Sequence, residues 1–203
     1  MLTDSELATL MQDKEVLHAV LSLKKDFIEQ EGDFLEITDE DFMSLVLLAP
    51  SVGIALANGS ISLFEELTLN KKARRLSRGS YFVKKDPVVH SLQFLVKNFD
   101  TWEERFYSII KQMIFSTFRQ SPPVLAVLQN PKAATNNLGV DILNAPYIFI
   151  KFITFLFLDE EDDLLNERSV SNLEFRKIEE IGKKIGIADL PIFQMFCRTF
   201  AVR

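Results

Sequence analysis

The sequence predicts an all-α protein, a multi-helix bundle of eight to ten helices, on three observations. Helix-start signals recur along the chain, apolar residues follow them at helical intervals, and the 203 residues include only 7 glycines and 7 prolines. The hydrophobic fraction of 47% is that of an ordered globular chain. We expect a single all-α domain over residues 1–203, with two packed helical halves, 1–79 and 86–203, as the alternative.

The first two helices are predicted from their start and stop signals. Thr3 and Glu6 have the spacing of a capping box, and Gly32 should end the helix that they open. The second helix is expected over Asp39–Ala57, because a threonine and then three acids form its first turn. Pro50 should kink or split this helix.

The third helix follows a tight turn at Asn58 and Gly59. Ser62 and Glu65 form a second capping box, so the helix should run from there to about Arg78. Five residues are expected to form its apolar face: Leu63, Leu67, Leu69, Ala73 and Leu76.

The second half begins after a junction at residues 79–86. One helix should start at Asp86-Pro87, and another at Thr101 with a broad buried stripe of Phe106, Ile109, Ile110, Met113, Ile114 and Phe118. Shorter helices are expected at 123–129 and 131–143, and a final one at 190–200.

The stretch Pro146–Leu158 is apolar on every side of a helix. We expect it to be the central core helix, with Phe149, Phe152, Ile153 and Leu156 nearly buried and Lys151 reaching outward. Its 13 residues are too few to cross a bilayer, which takes about 20. A membrane-surface or partner-buried segment is the alternative.

A segment near the C-terminus repeats an earlier pattern. Residues 169–174, SVSNLE, match residues 60–65, SISLFE, and apolar positions follow both at the same distances. Each copy has an apolar helix, a polar turn, a Ser-x-x-Glu box and a helix that ends in basic residues. A repeated helical unit is therefore our hypothesis.

Residues 52–76 resemble the central segment of the TerB-like helical family, which is named for tellurite resistance. The resemblance rests on small residues at a helix end, a turn with glycine and a capped acidic helix start: Ala55, Ala57, Gly59, Ile61, Ser62, Glu65 and Glu66. Asn58 stands where the family usually has aspartate, which weakens a transfer of metal binding. Residues 169–186 resemble the same unit more distantly. The resemblance implies an all-α fold and a link to metal stress or membrane-associated complexes, and no defined reaction.

Five consecutive acids at 159–163 are the densest set of carboxylates for a hard cation. Asp159, Asp162 and Asp163 are the candidate ligands for calcium or magnesium, the one cofactor that the sequence suggests. The run does not fit an EF-hand, because Leu164 stands at the glycine position and Val170 at the glutamate position. A solvated loop and docking to a basic partner are the alternatives.

A basic cluster at the end of the third helix is the candidate partner-binding site. Its members are Lys71, Lys72, Arg74, Arg75 and Arg78. Cations at a helix C-terminus also complement the helix dipole, so a purely structural role is the alternative to an anionic partner. A third hypothesis is electrostatic docking onto the acidic run, within the chain or between copies.

The sequence contains no catalytic motif, so no catalytic residues are assigned and we expect a non-enzyme. His18 and His90 stand alone, and the single cysteine, Cys197, lies in an apolar run typical of a packed thiol. The net charge of −6 argues against nucleic-acid binding. With no signal peptide recognised, a cytoplasmic protein is expected.

Two functions from different classes fit these observations. The first is a non-catalytic interaction or stress-associated protein that binds a protein partner or itself. The second is a carrier or sensor of a small apolar ligand, because the chain has 18 phenylalanines and helical bundles often enclose such pockets.

Overall fold

The structure is a computed structural model, and it describes residues 11–32, 36–77, 86–119, 147–158 and 168–203. These ranges contain eight helices and two short strands, which confirms the all-α prediction. The elements are α1 (Lys14–Glu31), α2 (Asp39–Ala55), α3 (Leu63–Leu76), α4 (Pro87–Lys97), α5 (Phe99–Arg119), α6 (Tyr147–Phe157), β1 (Arg168–Val170), α7 (Asn172–Lys184), α8 (Pro191–Cys197) and β2 (Phe200–Val202).

The end of α1 and the starts of α2 and α4 follow the predicted signals, whereas α1 begins at Lys14 after the cap Asp13 and α5 begins at Phe99, two residues before the predicted Thr101. Gly32 follows α1, and the side chains of Thr38 and Asp86 accept hydrogen bonds from backbone N–H groups in the first turns of α2 and α4. Gly59 makes its turn at a φ of +83°, a conformation that glycine adopts without strain. The predicted helix start at Thr3, the junction at 79–86 up to Lys85, and the helices at 123–129 and 131–143 lie outside the described residues.

α2 continues through Pro50, so Pro50 does not split the helix, and the alternative of a kink stays a prediction. Every residue from Asp41 to Pro50 is buried. Proline removes one backbone hydrogen bond from a helix interior. Here the packing of a fully enclosed segment outweighs that loss.

The central helix of the fold is α2, whereas the sequence predicted that α6 would take this place. α2 packs against α1, α3, α4, α5, α6 and α7, and its last residues carry the chain out to the turn at Gly59. α6 is buried as predicted at Phe152, Ile153 and Leu156, and Lys151 is half-buried. Among the described elements its main neighbour is α2, and α2 contacts more of these elements than α6 does. The side chain of Phe149 lies outside the described part.

The predicted apolar face of α3 is only partly buried. Leu69, Ala73 and Leu76 are buried, but Leu63 and Leu67 are 73% and 59% exposed. Each helical residue advances about 100°, so Leu63 lies about 240° around the axis from Leu69 and cannot share its face. Both leucines point away from the core.

The C-terminal part contains a feature that the sequence did not predict. The final helix is shorter than expected, Pro191–Cys197, and the residues after it form β2, which pairs in parallel with β1. In register, Arg168 lies opposite Phe200 and Val170 opposite Val202. β1 and β2 bring the chain on both sides of α7 and α8 together.

No helix in the described ranges is both long and apolar enough to cross a membrane.

Candidate functional site

The two Ser-x-x-Glu boxes have the same geometry. Ser62 Oγ accepts from Glu65 N–H at 3.3 Å, and the Glu65 carboxylate accepts from Ser62 N–H at 2.7 Å. The corresponding distances for Ser171 and Glu174 are 3.2 and 2.6 Å. The two serines have φ/ψ of −72°/159° and −70°/159°. α3 and α7 therefore start alike, although the repeat as a whole stays a hypothesis.

A cleft of about 450 Å³ lies between these two helix starts. Equivalent residues of the two helices line it, Glu65 with Glu174 and Leu69 with Ile178. The other lining residues come from α2, α3, α6, β1 and β2 and from the residue after α6: Ser51, Ile54, Ala55, Phe64, Thr68, Phe157, Leu158, Arg168, Ser169, Val170 and Phe200. The cleft thus combines an apolar wall with polar groups at the two helix starts.

The first two turns of α3 expose three large apolar side chains beside this cleft. Leu63, Phe64 and Leu67 are 73%, 77% and 59% exposed, and Phe64 also lines the cleft. We call these three residues the α3 apolar surface. On α7, Leu173 occupies the position equivalent to Phe64 and is 52% exposed. Exposed apolar side chains therefore occur at the same position of both helices.

The predicted basic cluster divides into an exposed and a buried part. Lys71, Arg74 and Arg75 are exposed, and we call them the α3 basic surface. Arg78 lies outside the described residues. Lys72 differs from the other described members of the predicted cluster, because it is only 6% exposed and its ammonium group donates hydrogen bonds within the chain. It does not belong to the exposed basic surface.

Lys72 binds the C-terminal end of α6. Its Nζ donates to Phe155 O at 2.6 Å, to Leu158 O at 3.2 Å and to Ser51 Oγ at 2.7 Å. It also lies 4.9 Å from the centroid of the Phe155 ring. A cation at a helix C-terminus is stabilised by the dipole and by the carbonyls that have no partner within the helix. Lys72 therefore joins α3 to α6.

An ion network fixes α7 to α5. The carboxylate of Glu103, 16% exposed, accepts from Lys177 at 3.0 Å and from Lys184 at 2.8 Å. Lys184 also pairs with Glu104 and Glu180. Burial opposes the charged form of Lys184, but hydrogen bonds to the three glutamates outweigh it and raise its pKa above the ordinary lysine value. For Glu180, burial is likewise outweighed by the two lysines, which lower its pKa.

Tyr107 lies beside this network and is buried. Burial, and then the negative charge of Glu103, raise the pKa of its phenol above the ordinary tyrosine value, so the hydroxyl stays protonated. Its oxygen lies so close to Gly53 that a Cβ there would approach it to 2.3 Å. Glycine at position 53 is therefore what lets α5 approach α2 this closely.

The described residues contain no metal-ligand cluster, and their one cysteine is a protonated thiol. No group of three or more histidine, cysteine, aspartate or glutamate side chains in these ranges is arranged to hold a metal ion. The candidate ligands Asp159, Asp162 and Asp163 lie outside them. Burial, and then Glu179, raise the pKa of the Cys197 thiol to about 12, so this cysteine is protonated near neutral pH.

Comparison with known proteins adds no identification: no family model, no curated protein and no solved structure matches the chain. The TerB-like resemblance of residues 52–76 therefore stays a hypothesis that rests on those residues alone.

Proposed function

We propose that this chain is a non-catalytic interaction protein that binds a protein partner through the α3 apolar surface. Apolar side chains of the partner would cover Leu63, Phe64 and Leu67 and enter the neighbouring cleft. The TerB-like resemblance suggests metal stress as the setting of this interaction.

The supporting observation is the clustering of exposed apolar side chains. Seven large apolar residues are exposed in the described part of the chain, and four of them lie at the starts of α3 and α7: Leu63, Phe64, Leu67 and Leu173. Single exposed apolar residues are normal on a soluble protein, but a contiguous group beside a cleft is typical of an interaction site. Within α3, residues three and four apart are neighbours, so Phe64 and Leu67 form one surface with Leu63.

A peptide selection tests this proposal even though the partner is unidentified. A displayed library of random peptides, roughly 16 residues long or about four helical turns, is selected on the wild-type protein. We expect enriched peptides to share apolar anchors and to lose at least about tenfold in affinity for Phe64→Ser/Leu67→Ser, since burying two such side chains is worth a few kcal/mol.

The control variant is Leu21→Ser on α1, which removes another exposed leucine, 39% exposed, away from the cleft. Both variants should keep the wild-type unfolding free energy within about 0.5 kcal/mol, because the changes are on the surface. A selection that yields no binders, or yields binders whose affinity is unchanged by Phe64→Ser/Leu67→Ser, contradicts the proposal.

The second candidate function is a carrier or sensor of a small apolar ligand. The cleft volume of about 450 Å³ suits a small molecule, and Phe64, Phe157 and Phe200 contribute aromatic surface. Native mass spectrometry of the purified protein distinguishes the two functions. A co-purifying lipophilic mass that is lost in Phe64→Ser favours the carrier, and a bare protein mass favours the interaction protein.

A further inference from the structure

The α3 basic surface continues the α3 apolar surface along one side of the helix. At about 100° per residue, the six residues of the two surfaces fall within a sector of about 120°. At 1.5 Å per residue, the centre of the basic group lies about 13 Å beyond the centre of the apolar group. The outward side of α3 is therefore apolar in its first half and positively charged in its second half.

We propose that the partner segment is an acidic amphipathic helix that lies antiparallel to α3. This inference rests on the proposed function and specifies its partner. The acidic first turn of the partner helix would meet Lys71, Arg74 and Arg75. Its apolar residues, about two and a half turns later, would cover Leu63, Phe64 and Leu67.

Charge complementarity determines the orientation. Acids are most favourable in the first turn of a helix, and cations in the last turn, which is where Arg74 and Arg75 lie in α3. An antiparallel partner brings these two ends together and also opposes the two helix dipoles. A parallel partner would place its acidic turn at the apolar half of α3, away from the arginines.

A protein segment suits this surface better than an anionic membrane. The described part of α3 presents three exposed cations, Lys71, Arg74 and Arg75. Protein segments that bind anionic membranes usually carry a cluster of about four to eight lysines and arginines. The cleft beside Phe64 is concave, so it fits an inserted side chain better than a flat bilayer.

The test uses the peptides enriched on the wild-type protein as probes. Their affinity is measured by fluorescence anisotropy for the wild type and for Arg74→Glu/Arg75→Glu, at about 50 mM and about 500 mM salt. We expect acidic residues enriched towards the N-terminal end of the peptides, and a loss of at least about tenfold in affinity on charge reversal at low salt. The loss should shrink at high salt.

The matched control is Arg176→Glu/Lys183→Glu, which makes the same charge change at two exposed cations of α7. We expect this variant to lose much less affinity than Arg74→Glu/Arg75→Glu. A scrambled version of each peptide, with the acids moved to its C-terminal end, should bind more weakly than the selected sequence. Equal binding of both peptide orders would overturn the antiparallel orientation.

The outcomes separate this inference from the proposed function. Peptides that depend on Phe64 and Leu67, but are indifferent to Arg74→Glu/Arg75→Glu and to salt, would overturn the acidic partner and keep the interaction site. Binding to phosphatidylserine vesicles in place of peptides would overturn it in favour of a lipid surface. Salt-sensitive self-association in sedimentation, lost on Arg74→Glu/Arg75→Glu, would overturn it in favour of a second copy of the chain.

Discussion

α3 and α7 start with the same capping box but are held in the fold by different forces. α3 is attached through the buried stripe Leu69, Lys72, Ala73 and Leu76, with the lysine bound to backbone carbonyls of α6. α7 is attached through Ile178, Ile181 and Gly182 on its buried side and through the ion network with Glu103. The same capping box therefore specifies where each helix begins, but it does not determine which contacts hold the helix in the fold.

The outward sides of the two helices differ as well. The charged residues of α7 are partly used to bind α5, through Lys177 and Lys184. The side of α3 that carries Leu63, Phe64 and Leu67 is exposed over its first two turns. These leucines and the phenylalanine contribute little to packing within the described chain, so a role in binding explains them better than a role in stability.

The largest effect is expected from breaking the attachment of α3. Lys72→Ala should lower the free energy of unfolding by about 2–4 kcal/mol, because the last carbonyls of α6 lose a charged donor and the buried stem leaves a cavity. Lys72→Met should cost less, since it keeps most of the stem. Urea denaturation measures both, with the exposed Arg74→Ala as control. A loss below about 0.5 kcal/mol in Lys72→Ala would remove the proposed difference between the helices.

The close packing of α7 against α8 gives the next effect. A Cβ at Gly182 would lie 2.4 Å from the ring of Phe193, which is 2% exposed. Gly182→Ala should therefore destabilise by about 1–3 kcal/mol, although alanine favours a helix. Phe193→Leu in the same background should recover part of the loss. A gain in thermal stability from Gly182→Ala alone would show that this contact is loose.

The ion network of α7 should contribute less than Lys72 does. Glu103→Gln and Lys184→Met should each cost about 1–2 kcal/mol, between the values for exposed and fully buried pairs. A double-mutant cycle by urea denaturation should give a coupling of about 1 kcal/mol. Strictly additive losses would mean that the two residues do not support each other.

The same network predicts a pH dependence. The pKa of Lys184 is raised in the folded state, so its stabilisation is complete below the ordinary lysine pKa. It is lost as the pH rises through the folded value. Tyr107 acts in the same direction, because unfolding lets its phenol ionise above its ordinary pKa. The wild type should therefore lose stability at strongly alkaline pH, and Lys184→Met should lose less over the same pH interval.

The smallest effect is the one expected to be equal on both helices. Ser62→Ala and Ser171→Ala should each cost about 1 kcal/mol, because each removes one N-cap hydrogen bond of the same geometry. The glycine variants should cost only a few tenths of a kcal/mol. Thermal unfolding of the four variants checks this. A loss at one serine and none at the other would contradict the equivalence of the two helix starts.

Local features of this fold were predictable from sequence because short-range geometry determines them. The caps at Thr38, Ser62 and Ser171 and the turn at Gly59 depend on side chains and backbone within four residues of one another. The burial of Phe152, Ile153 and Leu156 was predictable because this helix is apolar on every side and the exposure of apolar side chains to water is unfavourable. None of these predictions depended on a distant partner in the chain.

Helical periodicity identifies the buried side of α3. Leu69, Lys72, Ala73 and Leu76 are spaced at i, i+3, i+4 and i+7, which is the buried stripe of a helix. That spacing places Lys72 inside and Leu63 on the opposite side. Residue type alone predicts the opposite, with the lysine on the surface and the leucine in the core.

The sequence by itself determined the starts of α2, α3, α4 and α7, the burial of the apolar run in α6 and the all-α class. Only the tertiary structure decided which helix is central, how Lys72 reaches α6, how Glu103 binds two lysines of α7, and that two capped helix starts enclose one cleft. The physical reason is sequence separation. Capping and periodicity act over a few residues, whereas contacts such as Lys72 with Phe155 and Glu103 with Lys184 join residues roughly 80 positions apart and depend on how whole helices pack.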